Sequence, residues 1–443
     1  MIEQAFRYSL CALLLVMFVL PVPVNAQSII RDSEIESYLS EWFTPIFKAN
    51  GMSPEQVNII LVQNSEVNAF VAGGANIFLY TGLIHKTDNP AELIGVMAHE
   101  LGHITGGHLV RGRQALEQAS YEAILGTILG VGAAVASGDA AAAGAGSLAG
   151  NSIAQRRFLA KTRTFESSAD QAALVSMERA GLSPEGLLSF MRKLEGQELV
   201  PANQQSEYVR SHPLTRNRIT RLSSKVEESK NLNKAHPAKW DAQHRRMKAK
   251  LLGFIQPEHV AWTYDDRDNS IPAQYAKTLA HYKQNRIEQA LQAIDALIQL
   301  EPDNPYFYEL KGQMLVDFGR VPQALTPYKR TVLIRPQDGL LRMALAHAQL
   351  ESADDNQAVI QEAIENLKIA TREEPRSTRT HRLLATAYGR LGQDAYAKLH
   401  LAEEALLQGR KNYAKQQAQS ALIKLPKNTA ASQRAQDILV FVK

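Results

Sequence analysis

Apolar residues follow three rhythms along the chain. Between Ser33 and about Thr44, Ile35, Leu39, Trp42 and Phe43 recur at the spacing of a helix with one buried stripe. Pro45 is expected to end or kink that helix before Ile46 and Phe47. Asn58 to Val62 and Asn76 to Thr81 are rich in β-branched and aromatic residues and predict strands. Between them, Asn68-Ala69-Phe70-Val71-Ala72 runs into Gly73-Gly74, a tight-turn signal. That strand either offers its edge to an extended peptide or simply closes the core. A second helix opens at Asn89, which can cap, with Pro90 at the first helical position and Glu92 closing a capping box. Leu93, Ile94, Val96 and Met97 bury one side of it.

From about Ile271 the rhythm becomes a helical repeat. Pro302 and Pro336 lie 34 residues apart, the tetratricopeptide period. In that register alanine falls at Ala290, Ala324, Ala363, Ala395 and Ala414, where close helix packing needs a small side chain, and Gly312 and Tyr328 fill further positions. About five extra residues enter the third repeat near Ala353 to Gln357, Pro426 closes a half-repeat, and the tail to Val442 reads as a capping helix. Such repeats stack into a solenoid with a concave binding groove. The polar, basic region from Lys225 to Lys250 reads as a solvated connecting helix.

At 443 residues, 45% hydrophobic and 21% charged, the composition fits a globular chain of several domains. A net charge of +4, spread along the sequence, argues against a nucleic-acid partner but allows peripheral association with an anionic membrane surface. Arg7, the apolar run Leu10 to Leu20 and the small residues around Ala26 form an export signal, cleaved after Ala26. The one cysteine, Cys11, lies inside that signal, so the mature chain has neither disulfides nor thiolate ligands. The inferred destination is the periplasm. Tyr121 to Gly150 stands apart, with glycine and alanine throughout and Glu122 and Asp139 as its charges. It suits a mobile apolar cover over a cleft; Gly126 and Gly130 also allow close packing against a membrane partner.

The chemistry centres on His99-Glu100-Leu101-Gly102-His103. Four residues apart on a helix, His99 and His103 share a face and can hold one zinc ion, while Glu100 is turned far enough to reach a water beside it. Glu166 and Asp170 repeat this spacing on a later helix. Glu166 can supply a third ligand, and an acid at Asp170 can bond a ligand histidine. The same pair also fits an acidic first turn matched to the helix dipole. A longer histidine pattern would need Gly106 and a histidine at position 109; that position is Leu109, and His108 falls one residue short, so Glu166 is preferred. His212, just before Pro213, can point from a loop into the cleft or serve as a surface cap.

With these residues in hand, the chain resembles the secreted zinc peptidases related to the CAAX-prenyl and HtpX-type proteases. The shared marks are Asn68-Ala69-Phe70, Thr81-Gly82-Leu83, His99-Glu100-Leu101-Gly102-His103, Phe165-Glu166-Ser167-Ser168-Ala169-Asp170, and Ser211-His212-Pro213 with Arg218. The resemblance implies an α+β, mainly α fold: a gluzincin-type zinc peptidase domain over 27–255, a linker over 256–270 and an α-solenoid of tetratricopeptide repeats over 271–443. It implies one zinc per subunit on His99, His103 and Glu166, with Glu100 and Asp170 as catalytic acids and His212 able to approach the metal as a fourth ligand or an oxyanion donor. It further implies an endopeptidase with chaperone-like activity in quality control of outer-membrane β-barrel proteins. The partners would be unfolded or misassembled outer-membrane proteins and the barrel-assembly machinery. The rival reading is a repeat-based chaperone or adaptor whose zinc site is latent or structural.

Overall fold

A computed structural model describes residues 28–112, 114 and 161–442. The export signal and the glycine- and alanine-rich stretch Tyr121 to Gly150 lie outside them. The first layer is a four-stranded sheet of order β1-β2-β4-β3, with β1 Ser28–Ile30, β2 Asn58–Gln63, β3 Ala69–Ala72 and β4 Asn76–Tyr80. β2 and β4 are parallel, pairing Leu61 with Leu79, while β3 returns antiparallel on β4 and leaves its other side as a sheet edge. The return needs the Gly73-Gly74 turn, where both residues take positive φ (60° and 99°). β1, three residues long, carries no readable period.

Helix α1, Ser33–Ala49, is capped by Asp32, whose side chain accepts from the Ile35 N–H at 2.9 Å. It continues past Pro45 to Ala49, so the proline does not end the helix. Trp42, Phe43, Ile46 and Phe47 are all buried against the core, so packing outweighs the one backbone bond that proline removes. After the short α2, Thr81–Lys86, comes α3, Pro90–Thr105, the helix of the paired histidines. Asn89 caps it, accepting from the Glu92 N–H at 3.1 Å. Glu92 does not complete the box. Its carboxylate accepts from the Asp88 N–H at 2.9 Å and pairs with Lys193 at 2.6 Å, because the buried lysine–carboxylate bond competes for it.

α3 is held close by its small residues. A Cβ on Gly95 would lie 2.5 Å from the Leu187 nitrogen of α5, Glu185–Leu194. One on Gly102 would lie 2.7 Å from the Ala169 carbonyl of α4, the helix over 161–180. These glycines set the distance at which α4 presents its side chains to the histidines. Two helices follow, α6 Glu207–Ser211 and α7 Arg216–Glu227, and then α8 Ala238–Ile255.

α8 is not the solvated connector expected from its charge. Trp240, His244, Met247 and Leu251 are buried, and Lys250, 2% exposed, pairs with Asp32 at 2.7 Å and Glu34 at 3.1 Å. Lys250 is legible as basic in the sequence, but its acidic partners Asp32 and Glu34 lie at the far N-terminal side of the sheet-and-helix layer, where no local pattern points to them.

After the short helical turn Val260–Thr263, ten helices form the repeats: α9 Ile271–Lys283, α10 Ile287–Leu300, α11 Pro305–Asp317, α12 Val321–Ile334, α13 Gly339–Ser352, α14 Gln357–Glu373, α15 Thr378–Arg390, α16 Asp394–Leu407, α17 Lys411–Leu422 and α18 Ala430–Phe441. Ala290, Ala324, Ala363 and Ala414 are fully buried between neighbours; Ala395 is only half-buried, since Ala402 and Ala405 take the tight contact on α16. A Cβ on Gly312 would meet the Tyr328 ring at 2.7 Å, which explains that pairing of glycine with an aromatic. The solenoid leans on the sheet and its helices. Tyr275 donates to Glu34 at 2.9 Å, Tyr306 to Ser37 at 2.9 Å, and Arg246 forks onto Glu301 at 2.8 and 2.6 Å. No helix among the described residues is long and apolar enough to cross a membrane.

Candidate metal centre

On α3 the spacing of four residues does what the sequence asks. His99 and His103 point the same way, their Nε2 atoms 3.1 Å apart. Glu166 faces both from α4, at 3.4 Å from His99 Nε2 and 3.4 Å from His103 Nε2. Helix α4 already runs from position 161, so Glu166 and Asp170 sit more than a turn inside its described span, away from the helix-dipole position. His212, at the C-terminal end of α6, completes the group. The donor atoms of His99, His103, Glu166 and His212 all lie within 4.8 Å of one another.

Each paired histidine is held from behind. The His99 Nδ1 lies 3.0 Å from Asp170 Oδ1, and His103 Nδ1 lies 3.1 Å from His108 Nδ1. Both rings turn Nε2 inward with a polar group close behind Nδ1, the arrangement that metal-binding histidines use. Asp170 thus stands behind His99 and away from the cleft, as a positioning residue. His108 stacks on Phe165, ring centroids 4.7 Å apart, and serves His103 in the same way. In the sequence it is only a flanking residue; the extra support shows in three dimensions alone.

The electrostatics suit a cation. Burial lowers His103 to about 2 and His212 to about 4, so both rings are neutral and can offer a lone pair. Burial also opposes a charge on His99, yet the Asp170 and Glu166 carboxylates outweigh it and raise that ring to about 10. Oε1 of Glu100 and Oε2 of Glu166 are buried with no hydrogen-bond partner. The Glu166 carboxylate, facing two imidazole nitrogens and paired from behind only with Arg218 at 3.1 Å, makes with them a donor set that a zinc ion takes. Glu100, 1% exposed, is pushed up to about 8 by burial, and its Oε1 lies 3.4 Å from His212 Nε2.

Two further residues complete the surroundings. Arg218, from the first turn of α7, forks onto Asp170 at 2.8 and 2.9 Å. The Tyr208 ring stacks on His212, centroids 4.6 Å apart. In the sequence Arg218 is no more than a shared mark, and nothing singles out Tyr208. The Tyr208 N–H donates to the Val67 carbonyl at 3.0 Å, tying α6 to the lead-in of edge strand β3, which packs on α3.

Residues 31–226 match the model of peptidase family M48. A β-barrel assembly-enhancing protease of Yersinia pestis is 26% identical over 311 residues, covering 68% of this chain and 62% of that protein. One from Escherichia coli (strain K12) is 24% identical over 339 residues, covering 74% of this chain and 68% of its own length. The chain therefore aligns with about 62% of the length of the Yersinia relative. A solved tetratricopeptide protein of Thermus thermophilus is 23% identical over 37% of this chain and 95% of its own, with a TM-score of 0.25.

Proposed function

We propose that this chain, a peptidase of family M48 in its residues 31–226, is a zinc-dependent endopeptidase of the periplasm that acts on unfolded or misassembled outer-membrane β-barrel proteins. The observation that carries the reading is the convergence of His99, His103, Glu166 and His212 within 4.8 Å, with the buried carboxylate of Glu100 beside them. His99, His103 and Glu166 would hold a zinc ion, which when bound would polarise the scissile carbonyl and lower the pKa of water toward neutral. Glu100, buried beside the two histidines on the same helix, accepts a proton from the attacking water and passes it to the leaving amine. Asp170 acts through His99, fixing its ring. The free edge of β3, beside α3, holds the substrate as an added strand. The names of the relatives support the choice of client, and the solenoid groove supports contact with those clients or with the barrel-assembly machinery, in a holding role akin to a chaperone.

The purified chain is expected to cleave an unfolded barrel protein, to lose that activity on chelation, and to regain it with one equivalent of zinc per subunit. Cleavage that survives complete metal removal would overturn the reading.

His212 carries a second element. Neutral, buried and within the ligand cluster, it is placed to act as a fourth donor that keeps the resting site closed and sits against Glu100. His212→Ala is then expected to raise basal turnover of an unstructured peptide at matched zinc content. A fall of roughly 10²- to 10³-fold would instead identify His212 as an oxyanion donor.

A further inference from the structure

We infer that Arg218 is the positioning residue that holds His212 in the metal cluster, coupling the 212–215 loop to the carboxylates around the metal. The inference rests on the reading of His99, His103 and Glu166 as metal ligands. Its physical basis is one buried guanidinium, 5% exposed, reaching three places at once. Nε and Nη2 fork onto Asp170 at 2.8 and 2.9 Å. Nη1 donates to the Pro213 carbonyl at 2.7 Å and lies 3.1 Å from Glu166 Oε2. Asp170 in turn holds His99, so a single side chain touches the carboxylate behind one histidine, the carboxylate of the third ligand, and the peptide next to His212.

The loop needs such a tie. His212 ends α6, a helix of five residues that has little stability of its own. Its N–H donates to the Tyr208 carbonyl at 2.8 Å and its ring rests on Tyr208, which fix the residue to α6 but not to the metal side. On the far side, Thr215 caps α7 by accepting from the Arg218 N–H at 3.3 Å, so Arg218 is also anchored where the loop ends. The planar fork of arginine can meet a carboxylate along one edge and a carbonyl from its remaining nitrogen; a lysine ammonium, a point donor, cannot span both. The cation is buried at no large cost because two carboxylates face it.

The consequence is that the fourth position of the metal site opens when Arg218 lets go of Pro213, while His99, His103 and Glu166 can still hold the metal, less tightly. The test uses the full chain loaded with Co²⁺, whose visible spectrum reports coordination, and azide as a small anion that binds only at an open position. Wild type should bind cobalt and respond weakly to azide. Arg218→Gln should still bind cobalt, with affinity lower by roughly 10- to 100-fold, and its spectrum should shift with azide. Arg218→Lys should respond to azide like Arg218→Gln while melting closer to wild type. In a His212→Ala background, Arg218→Gln should add nothing to the azide response, because both changes open the same position.

Folded Arg218 variants that bind azide no better than wild type would overturn the proposal. So would an Arg218→Gln effect that adds in full to that of His212→Ala. If neither Arg218 variant folds, the residue is a folding element and the proposal falls. Failure of wild type to bind cobalt would instead remove the metal reading itself.

Discussion

Glu100→Gln is expected to retain one zinc per subunit and to lose peptide hydrolysis by roughly 10²- to 10⁴-fold. The metal should stay because none of the proposed ligands changes and glutamine has the same shape. The carboxylate leaves the mechanism, not the fold. Glu100 lies on α3 beside the two histidines, with Oε1 lacking a hydrogen bond, so the amide leaves no broken network behind it. Its amide cannot accept a proton at working pH. The wild-type carboxylate, beside the two histidines, can take a proton from water and return it to an amine, which the amide cannot. Metal content measured beside cleavage of casein or of an unfolded barrel protein separates the two effects. Undiminished cleavage by a zinc-loaded variant would exclude Glu100 as the base, whereas loss of zinc would show that the carboxylate is needed for binding.

The parts of this site that can be read from the sequence are those set by one helix. His99, Glu100 and His103 share a helical repeat, and Glu166 and Asp170 share another, so spacing alone places each pair on a face. How α4 meets α3 depends on Gly102 against Ala169, and a glycine among apolar residues does not announce which backbone it will touch. The supporting residues are harder still. Arg218 opens an ordinary polar helix, 48 positions from Asp170, and its burial comes entirely from tertiary packing. Pro45 misleads for the opposite reason: the local rule against proline in a helix is sound, but the burial of Trp42 and Phe43 just before that turn overrides it. The repeats are legible because thirty-four-residue periodicity reflects stacking of like on like. The seating of the solenoid on α1 and α8 is not, because it uses single polar contacts between unlike elements.

That seating yields the other large expected effect. Lys250→Ala should destabilise the chain by about 3–5 kcal/mol, the typical result of removing one partner from a buried ion pair. Lys250 is 2% exposed, and the carboxylates it faces are already committed. Asp32 Oδ1 caps α1, leaving Oδ2 for the lysine at 2.7 Å. Glu34, 1% exposed, accepts from Tyr38 at 2.8 Å and from Tyr275 at 2.9 Å, and meets the lysine at 3.1 Å. Glu309, on the facing wall of a cleft of about 940 Å³ between β1 and the repeats, is raised by burial to about 7 against the pull of Lys250; without the lysine it rises further. Two hydroxyl donors cannot replace a full positive charge for this group of acids. The strain falls at the junction of α1, α8 and α9, so the variant should also become sensitive to protease between residues 256 and 270, where the connection to the repeats runs. Replacing both buried ends, with Lys250→Met and Glu34→Leu together, should recover part of the loss, because the most deeply buried carboxylate leaves with the lysine and only Asp32, 17% exposed, keeps an unpaired charge beside α1. Urea unfolding midpoints of the three proteins, with the proteolytic fragments identified by mass, provide the measurement. A loss below about 1 kcal/mol for Lys250→Ala would mean that the pair behaves as a solvated surface contact, and the repeats would then be held to the peptidase layer by their apolar packing and by Arg246 with Glu301.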